Sequence, residues 1–272
     1  MNQPLLGQIR GVMRLELKKQ LQSSRALLVY MLALVPIIIV ASFIIGTSIL
    51  GVPTDLQGPN GAKTFYSIFF YSVMRFVIFL ASAWIFMNLF RGEVLDRSLH
   101  YYFLTPIRRE LLAVGKYVSG WIASVLLFSG AAAACLIAIY MYLGNAGAEG
   151  VFRGESMAHL LSYVSVTALA LLGYGAVFLV VGLFFRNTIV PTLAILVWEG
   201  GNPYFPALLK RISVGFYVEP LLPVPPPEGT FEILADPVPA WLAVPGLILF
   251  TTLTLLVAAI RIRRMEISYA SD

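Results

Sequence analysis

Residues 91–116 read RGEVLDRSLHYYFLTPIRRELLAVGK and separate two long apolar runs, Phe65–Phe90 and Tyr117–Leu143. Charge is scarce elsewhere, yet here basic and acidic residues gather around Thr105-Pro106. A chain that is otherwise apolar and concentrates its charge in one short insert is read as a membrane protein that offers this insert to something soluble.

The composition supports the first half of that reading. Of 272 residues, 59% are hydrophobic and 12% charged, and the mean hydropathy is +0.84. A soluble domain carries about 25% charged residues, so the chain is classed as integral to the membrane. One bilayer crossing needs roughly 20 apolar residues. Six candidate segments can be drawn: Ala26–Leu50, Phe65–Phe90, Tyr117–Leu143, His159–Phe185, Thr188–Gly200 and Trp241–Ile260. Lipid supplies no hydrogen-bond partners to the backbone, so each is read as a helix. The alternating pattern of a barrel strand does not occur. The expected fold is a single all-α transmembrane domain over residues 1–272, with six spans.

Lys and Arg set the orientation. Arg10, Arg14, Lys18, Lys19 and Arg25 precede the first span, and Arg91, Arg97, Arg108, Arg109 and Lys116 lie between the second and third. Arg186, Arg261, Arg263 and Arg264 complete that side, against Lys63, Arg153, Lys210 and Arg211 on the other. Both termini are therefore expected in the cytoplasm. The net charge of +5 and pI near 9.3 reflect this bias, and no nucleic acid is implied. Cys135 is the only cysteine, which excludes an intrachain disulfide and a thiolate cluster. The N-terminus is basic and amphipathic, unlike a cleavable signal peptide.

Within residues 1–25, Ile9, Met13, Leu17 and Leu21 recur every four residues beside a stripe of Arg10, Arg14, Lys18 and Gln22. The pattern predicts a helix lying in the inner interface, its basic side toward anionic headgroups; the alternative is a plain basic flank. Residues 201–240 form a long external segment. It runs from Pro203 and Pro206 through an apolar stretch to EPLLPVPPPEG at Glu219–Gly229. Its proline-rich part is expected to be extended and stiff. Residues 205–218 are either a short re-entrant or interfacial helix or an ordinary connector. Residues 261–272 are a short basic cytoplasmic tail.

A catalytic constellation is not visible. His100 and His159 have no Cys or acidic neighbours at metal-ligand spacing, and neither H-E-x-x-H nor G-x-S-x-G occurs. Gly115-Lys116 is followed by Tyr117 and lacks the upstream glycine of a P-loop. The chain is thus expected to be no enzyme, and any ATP energy must come from another protein. Two charges fall inside the apolar segments, Arg75 in the second and Glu199 at the end of the fifth. Such charges usually face a protein interior or cavity. Either the two pair and lock two helices, or Arg75 snorkels and Glu199 sits at the interface.

The insert resembles the first cytoplasmic loop of ABC transporter permeases of the type-two exporter class. The residues that carry the resemblance are Glu93, the turn Arg97-Ser98-Leu99, the run Thr105-Pro106-Ile107-Arg108-Arg109, and Gly115-Lys116 at the start of the third span. At the turn Arg97 stands where the family has Gly and Ser98 where it has Thr. The resemblance implies a permease subunit that binds a separate ATPase, pairs with a second copy or a paralogue, and resides in a bacterial inner membrane. ATP and magnesium would be bound by the ATPase, with no cofactor in this chain. It further implies a coupling helix, here Glu93 to Phe103, and a dimer interface built from spans one, two and five. Leu95, Leu99, Tyr102 and Phe103 then supply apolar and aromatic anchors, and Asp96 and Arg97 register and steering. Pro106 disfavours helix at Thr105 and makes a corner before the third span. A solvated basic flank would not need Tyr101, Tyr102 and Phe103 in a row.

Two other functional classes stay open. An ion-coupled carrier would need intramembrane ionisable groups and usually an internal repeat; only Arg75 and Glu199 qualify, and no repeat is visible. A non-transporting membrane scaffold is the third. The aromatic stretch Phe65–Phe79 suits a hydrophobic or amphipathic cargo, and equally suits contact with lipid.

Overall fold

The structure, a computed structural model, describes residues 5–23, 26–50, 65–95, 109–142, 154–224 and 238–264. These are almost wholly helical, and no strand occurs among them. Helix α1 is Leu5–Gln22 and α2 is Ala26–Leu50. Helix α3 joins a π-helical stretch, Ile68–Ile78, to an α-helical stretch, Phe79–Leu95. Then follow α4 (Arg109–Tyr142), α5 (Gly154–Phe184) and α6 (Ile189–Gly201). Two short helices, α7 (Ala207–Lys210) and α8 (Val214–Val218), precede the closing α9 (Ala240–Arg263).

Among the described residues, five helices are long and apolar enough to cross a membrane: α2, α3, α4, α5 and α9. The sixth expected segment forms α6, a helix of 13 residues. At 1.5 Å per residue it is about 20 Å long, short of a hydrocarbon core of about 30 Å. Its chain does not run on as a helix because Pro203 and Pro206 follow at once; instead a 3-10 turn at Asn202–Tyr204 leads into α7 and α8. So residues 205–218 are helical in pieces.

Helix limits differ from the apolar limits at the charged insert. Helix α3 continues past Phe90 to Leu95, and α4 starts at Arg109 instead of Tyr117. Hydropathy marks where lipid contact ends, but backbone hydrogen bonding continues into water, and Glu110 in the first turn of α4 suits the positive end of the helix dipole.

Helices α3, α4 and α5 make the interior: 61%, 50% and 61% of their apolar windows are buried, against 22% for α2 and α9. The two outlying helices turn most of their apolar surface outward, as a lipid-facing element does. Close contact within the core depends on small residues of α5. A Cβ at Gly175 would stand 2.6 Å from the Phe86 ring, and one at Gly182 would stand 2.8 Å from the backbone of Met87. Gly173 likewise admits Val214 and Leu247. These glycines thus serve packing within this chain.

Side-chain contacts sort the helix ends into two groups. At one end Arg91 Nη1 donates to the Phe185 carbonyl (2.9 Å), Arg261 lies over the Phe184 ring (5.1 Å to the centroid) and Arg263 pairs with Glu110. At the other, Thr47 and Ser48 meet the Tyr142 hydroxyl at 3.0 and 3.4 Å. There too Tyr66 donates to Glu219 (3.3 Å) and Ser162 donates to the Leu221 carbonyl (3.0 Å). The ends of α5 and α9 therefore lie together, and these two helices run in parallel.

Candidate functional site

The charged insert stands on a buried ionic seam. Glu93, near the end of α3, accepts from Lys116 of α4 at 2.5 Å and from Lys19 of α1 at 3.1 Å. Lys116 also pairs with Glu16 of α1. Three of the four are inside the protein: side-chain exposure is 0% for Lys116, 1% for Glu93 and 3% for Glu16, while Lys19 is 41% exposed. Acid and base are brought together here, as a low-dielectric site demands, because a buried ion left alone costs several kcal/mol. The Lys116 ammonium also lies 5.5 Å from the centroid of the Phe90 ring, a favourable cation–π approach.

Glu93 is one of the residues expected to meet an ATPase, and the structure puts it at the foot of the loop, turned inward. Leu95 closes the helix, and Asp96, Arg97, Leu99, Tyr102, Phe103, Thr105 and Pro106 lie outside the described residues. Of the residues expected to form a coupling helix, Glu93 to Phe103, only 93–95 are described, as the end of α3.

Helix α1 is more than an interfacial float. It packs along α4, and its buried line is Val12 and Glu16, continued by the half-buried Gln20. The stripe through Met13, Leu17 and Leu21 is only half-buried. Glu16 and Lys116 were not among the expected site residues. The signal was present: Glu16 is the sole acid in an otherwise basic helix, four residues from Val12 and from Gln20.

Next to the seam a cleft opens between α1, α2, α3 and α4. Its wall mixes Lys19, Gln20 and Asn88 with Val29, Trp84 and Ile85. The Gln20 amide is buried there with neither atom hydrogen-bonded. A cleft with such walls suits an amphiphile better than a hydrocarbon.

The two intramembrane charges make different contacts, though Tyr174 lies within electrostatic reach of both. Glu199, at the end of α6, is buried, and its carboxylate accepts four hydrogen bonds. The donors are the hydroxyls of Tyr174 (3.0 Å) and Ser213 (2.8 Å) and the backbone N–H groups of Val214 (3.0 Å) and Gly215 (3.2 Å). It thereby caps the N-terminus of α8 and fixes the broken segment against α5. Asn202 donates to the same Ser213 hydroxyl at 2.9 Å. Arg75 sits in the π-helical stretch with its guanidinium 5.2 Å from the Phe70 centroid and 5.6 Å from that of Tyr71. The direct Arg75–Glu199 pair is not formed: each acidic oxygen is taken by α5 or α8, and the cation rests on aromatic faces. An arginine at the centre of a span costs about 2.5–3.5 kcal/mol on insertion scales. Exposed cation–π contacts return about 0.5–1 kcal/mol each.

No family model, no curated protein and no solved structure matches the chain. Function therefore has to be argued from the site itself.

Among the described residues, no group of three or more His, Cys, Asp or Glu side chains could hold a metal ion. His159 bonds the Tyr140 hydroxyl through Nδ1 at 2.9 Å, and Cys135 is buried. What the arrangement offers is mechanical: a rigid three-helix core, a loop with clamped feet, and a broken segment locked by one carboxylate.

Proposed function

We propose that the chain is the membrane subunit of an ATP-driven exporter, coupled to a separate ATPase through its 91–116 loop. The observation that carries this reading is the Glu93–Lys116 ion pair. It joins the last turns of α3 to the second turn of α4, so that whatever pushes on the loop pushes on two core helices at once. Lys19 and Glu16 bring α1 into the same unit. A loop meant only as a solvated connector would not need its feet fastened by buried charge.

Six crossings suit this reading better than five. Parallel α5 and α9 require the chain between them to traverse the membrane, and α6 with α7, α8 and the turn at Glu219–Leu221 supplies a crossing made in pieces. Non-helical backbone at that depth is tolerated where it is buried in protein, and Glu199 supplies such cover to α8. Both termini then lie in the cytoplasm of a bacterial inner-membrane protein. The exposed apolar faces of α2 and α6 are left for lipid and for a second copy or paralogue.

In operation, closure of the ATPases on ATP drives the loop, and the clamped pair of helices rocks as a body. The work comes from differential affinity in the partner, with no bond made or broken in this chain. The reading is tested by co-expressing the chain with its candidate ATPase and purifying in mild detergent, beside a Leu99→Asp, Tyr102→Asp double variant. A complex lost in the variant supports the docking loop. Failure of the intact chain to hold any ATPase, with transport driven by a proton gradient, would replace the exporter by an ion-coupled carrier.

A further inference from the structure

We propose that Arg75 is the recognition point for the anionic group of an amphiphile that enters the membrane domain. The inference rests on reading the chain as a transport subunit, and it names the class of molecule carried.

The buried positions of the π-helical stretch are Phe69, Phe70, Val73, Met74, Val77 and Ile78. They repeat at four-residue spacing, so the opposite face carries Tyr71, Ser72, Arg75 and Phe76, which are half-buried or exposed. Arg75 is thus half-buried at the side of that face, in the half of α3 remote from Glu93 and within electrostatic reach of Tyr174. Among the described residues it has no carboxylate within ion-pairing distance; its contacts are the Phe70 and Tyr71 rings. Those rings hold the guanidinium in place and shed water from it, yet carry no charge to neutralise it.

Among the described residues, the intramembrane acid Glu199 is already supplied with donors. Glu199 accepts from Tyr174, Ser213, Val214 and Gly215. At the other end of the core, buried acid and base are brought into contact. Among the described residues, Arg75 has no such acidic contact. An always-protonated, planar donor fork set on aromatic faces beside Phe76 matches a carboxylate, sulfate or phosphate joined to an apolar body. The anion takes the fork and the apolar body lies on the rings.

The test uses the purified chain alone in phosphatidylcholine nanodiscs, without ATP or ATPase. Equilibrium binding of dodecyl phosphate is compared with that of dodecyl maltoside, which has the same chain and no charge. The expected result is at least a tenfold preference for the anion, lost in Arg75→Met and partly kept in Arg75→Lys. Repeating the titration in discs containing phosphatidylglycerol identifies the source: suppression means that a lipid headgroup fills the site, and no suppression means a free cargo, with the anion site upheld in both. Equal binding of the two amphiphiles by the intact chain, or a preference that survives Arg75→Met, overturns the inference. So does a dimer that falls apart in Arg75→Met with anion preference unchanged, which would make Arg75 a contact to a second copy. A missing anion preference leaves ATPase docking intact, and a failed ATPase pull-down leaves the binding result intact, so the two readings fail separately.

Discussion

Glu93 and Lys116 stand 23 residues apart in sequence and 2.5 Å apart in space, both wholly buried, where α3 leaves the core and α4 returns to it. The pair closes the base of the charged insert, and Glu16 on α1 shares the same ammonium group.

Lys116→Met should destabilise the protein by about 3–5 kcal/mol, because Glu16 and Glu93 would lose the buried ammonium they share, with Lys19 left beside Glu93. Replacing all three by methionine should recover most of that loss, since a buried ion set is often no better than apolar residues of similar size. Thermal unfolding in detergent checks both. A Lys116→Met protein that melts with the wild type would show that the seam contributes nothing.

Glu199→Ala should loosen the broken segment without unfolding the core. Each donor it leaves buried and unmet costs about 1–3 kcal/mol, and the four donors lie on α5 and at the start of α8. Hydrogen exchange should rise at Val214 and Gly215 first, with α3 and α4 protected as before. Glu199→Gln keeps an acceptor oxygen and should show a smaller rise.

Much of this architecture was readable beforehand, and the residues that escaped have a common reason. The apolar runs located five long helices and the short sixth, because lipid leaves the backbone no choice of partner. The apolar limits at Phe90 and Tyr117 do not coincide with the helix ends at Leu95 and Arg109, since helices outlast the membrane and hydropathy does not. Arg75 and Glu199 stood out as charges in apolar surroundings. Their pairing did not follow, because the hydroxyls and N–H groups that satisfy Glu199 belong to Tyr174, Ser213, Val214 and Gly215, which no charge pattern marks. Lys116 was hidden among basic residues that set topology, and only the fold distinguishes a lysine facing water from one facing Glu16.

The topology has a direct check. Asn187, in the turn between α5 and α6, and Ala240, at the start of α9, are both exposed. With the buried Cys135 replaced by serine, single cysteines at these two positions should react with a membrane-impermeant maleimide from opposite sides of a sealed vesicle. Labelling from the same side would mean that residues 189–224 do not cross.

Gly182→Ala should destabilise by about 1–3 kcal/mol, the usual range for overpacking, because its Cβ would meet Met87 backbone atoms at 2.8 Å. Gly130 is open around its Cβ position, so Gly130→Ala in the same assay should be neutral or slightly stabilising. Equal melting of the two variants would argue against the close α3–α5 crossing.

The seam also sets a timetable for biogenesis. Glu16 leaves the ribosome a hundred residues ahead of Lys116, so α1 cannot take its final seat until α4 has been synthesised and inserted. Until then its acid must stay in water, and the helix waits outside the packed core. Nascent chains halted before Lys116 should leave α1 open to protease, and chains halted after Tyr142 should protect it; the N-terminus would be among the last parts of this protein to settle.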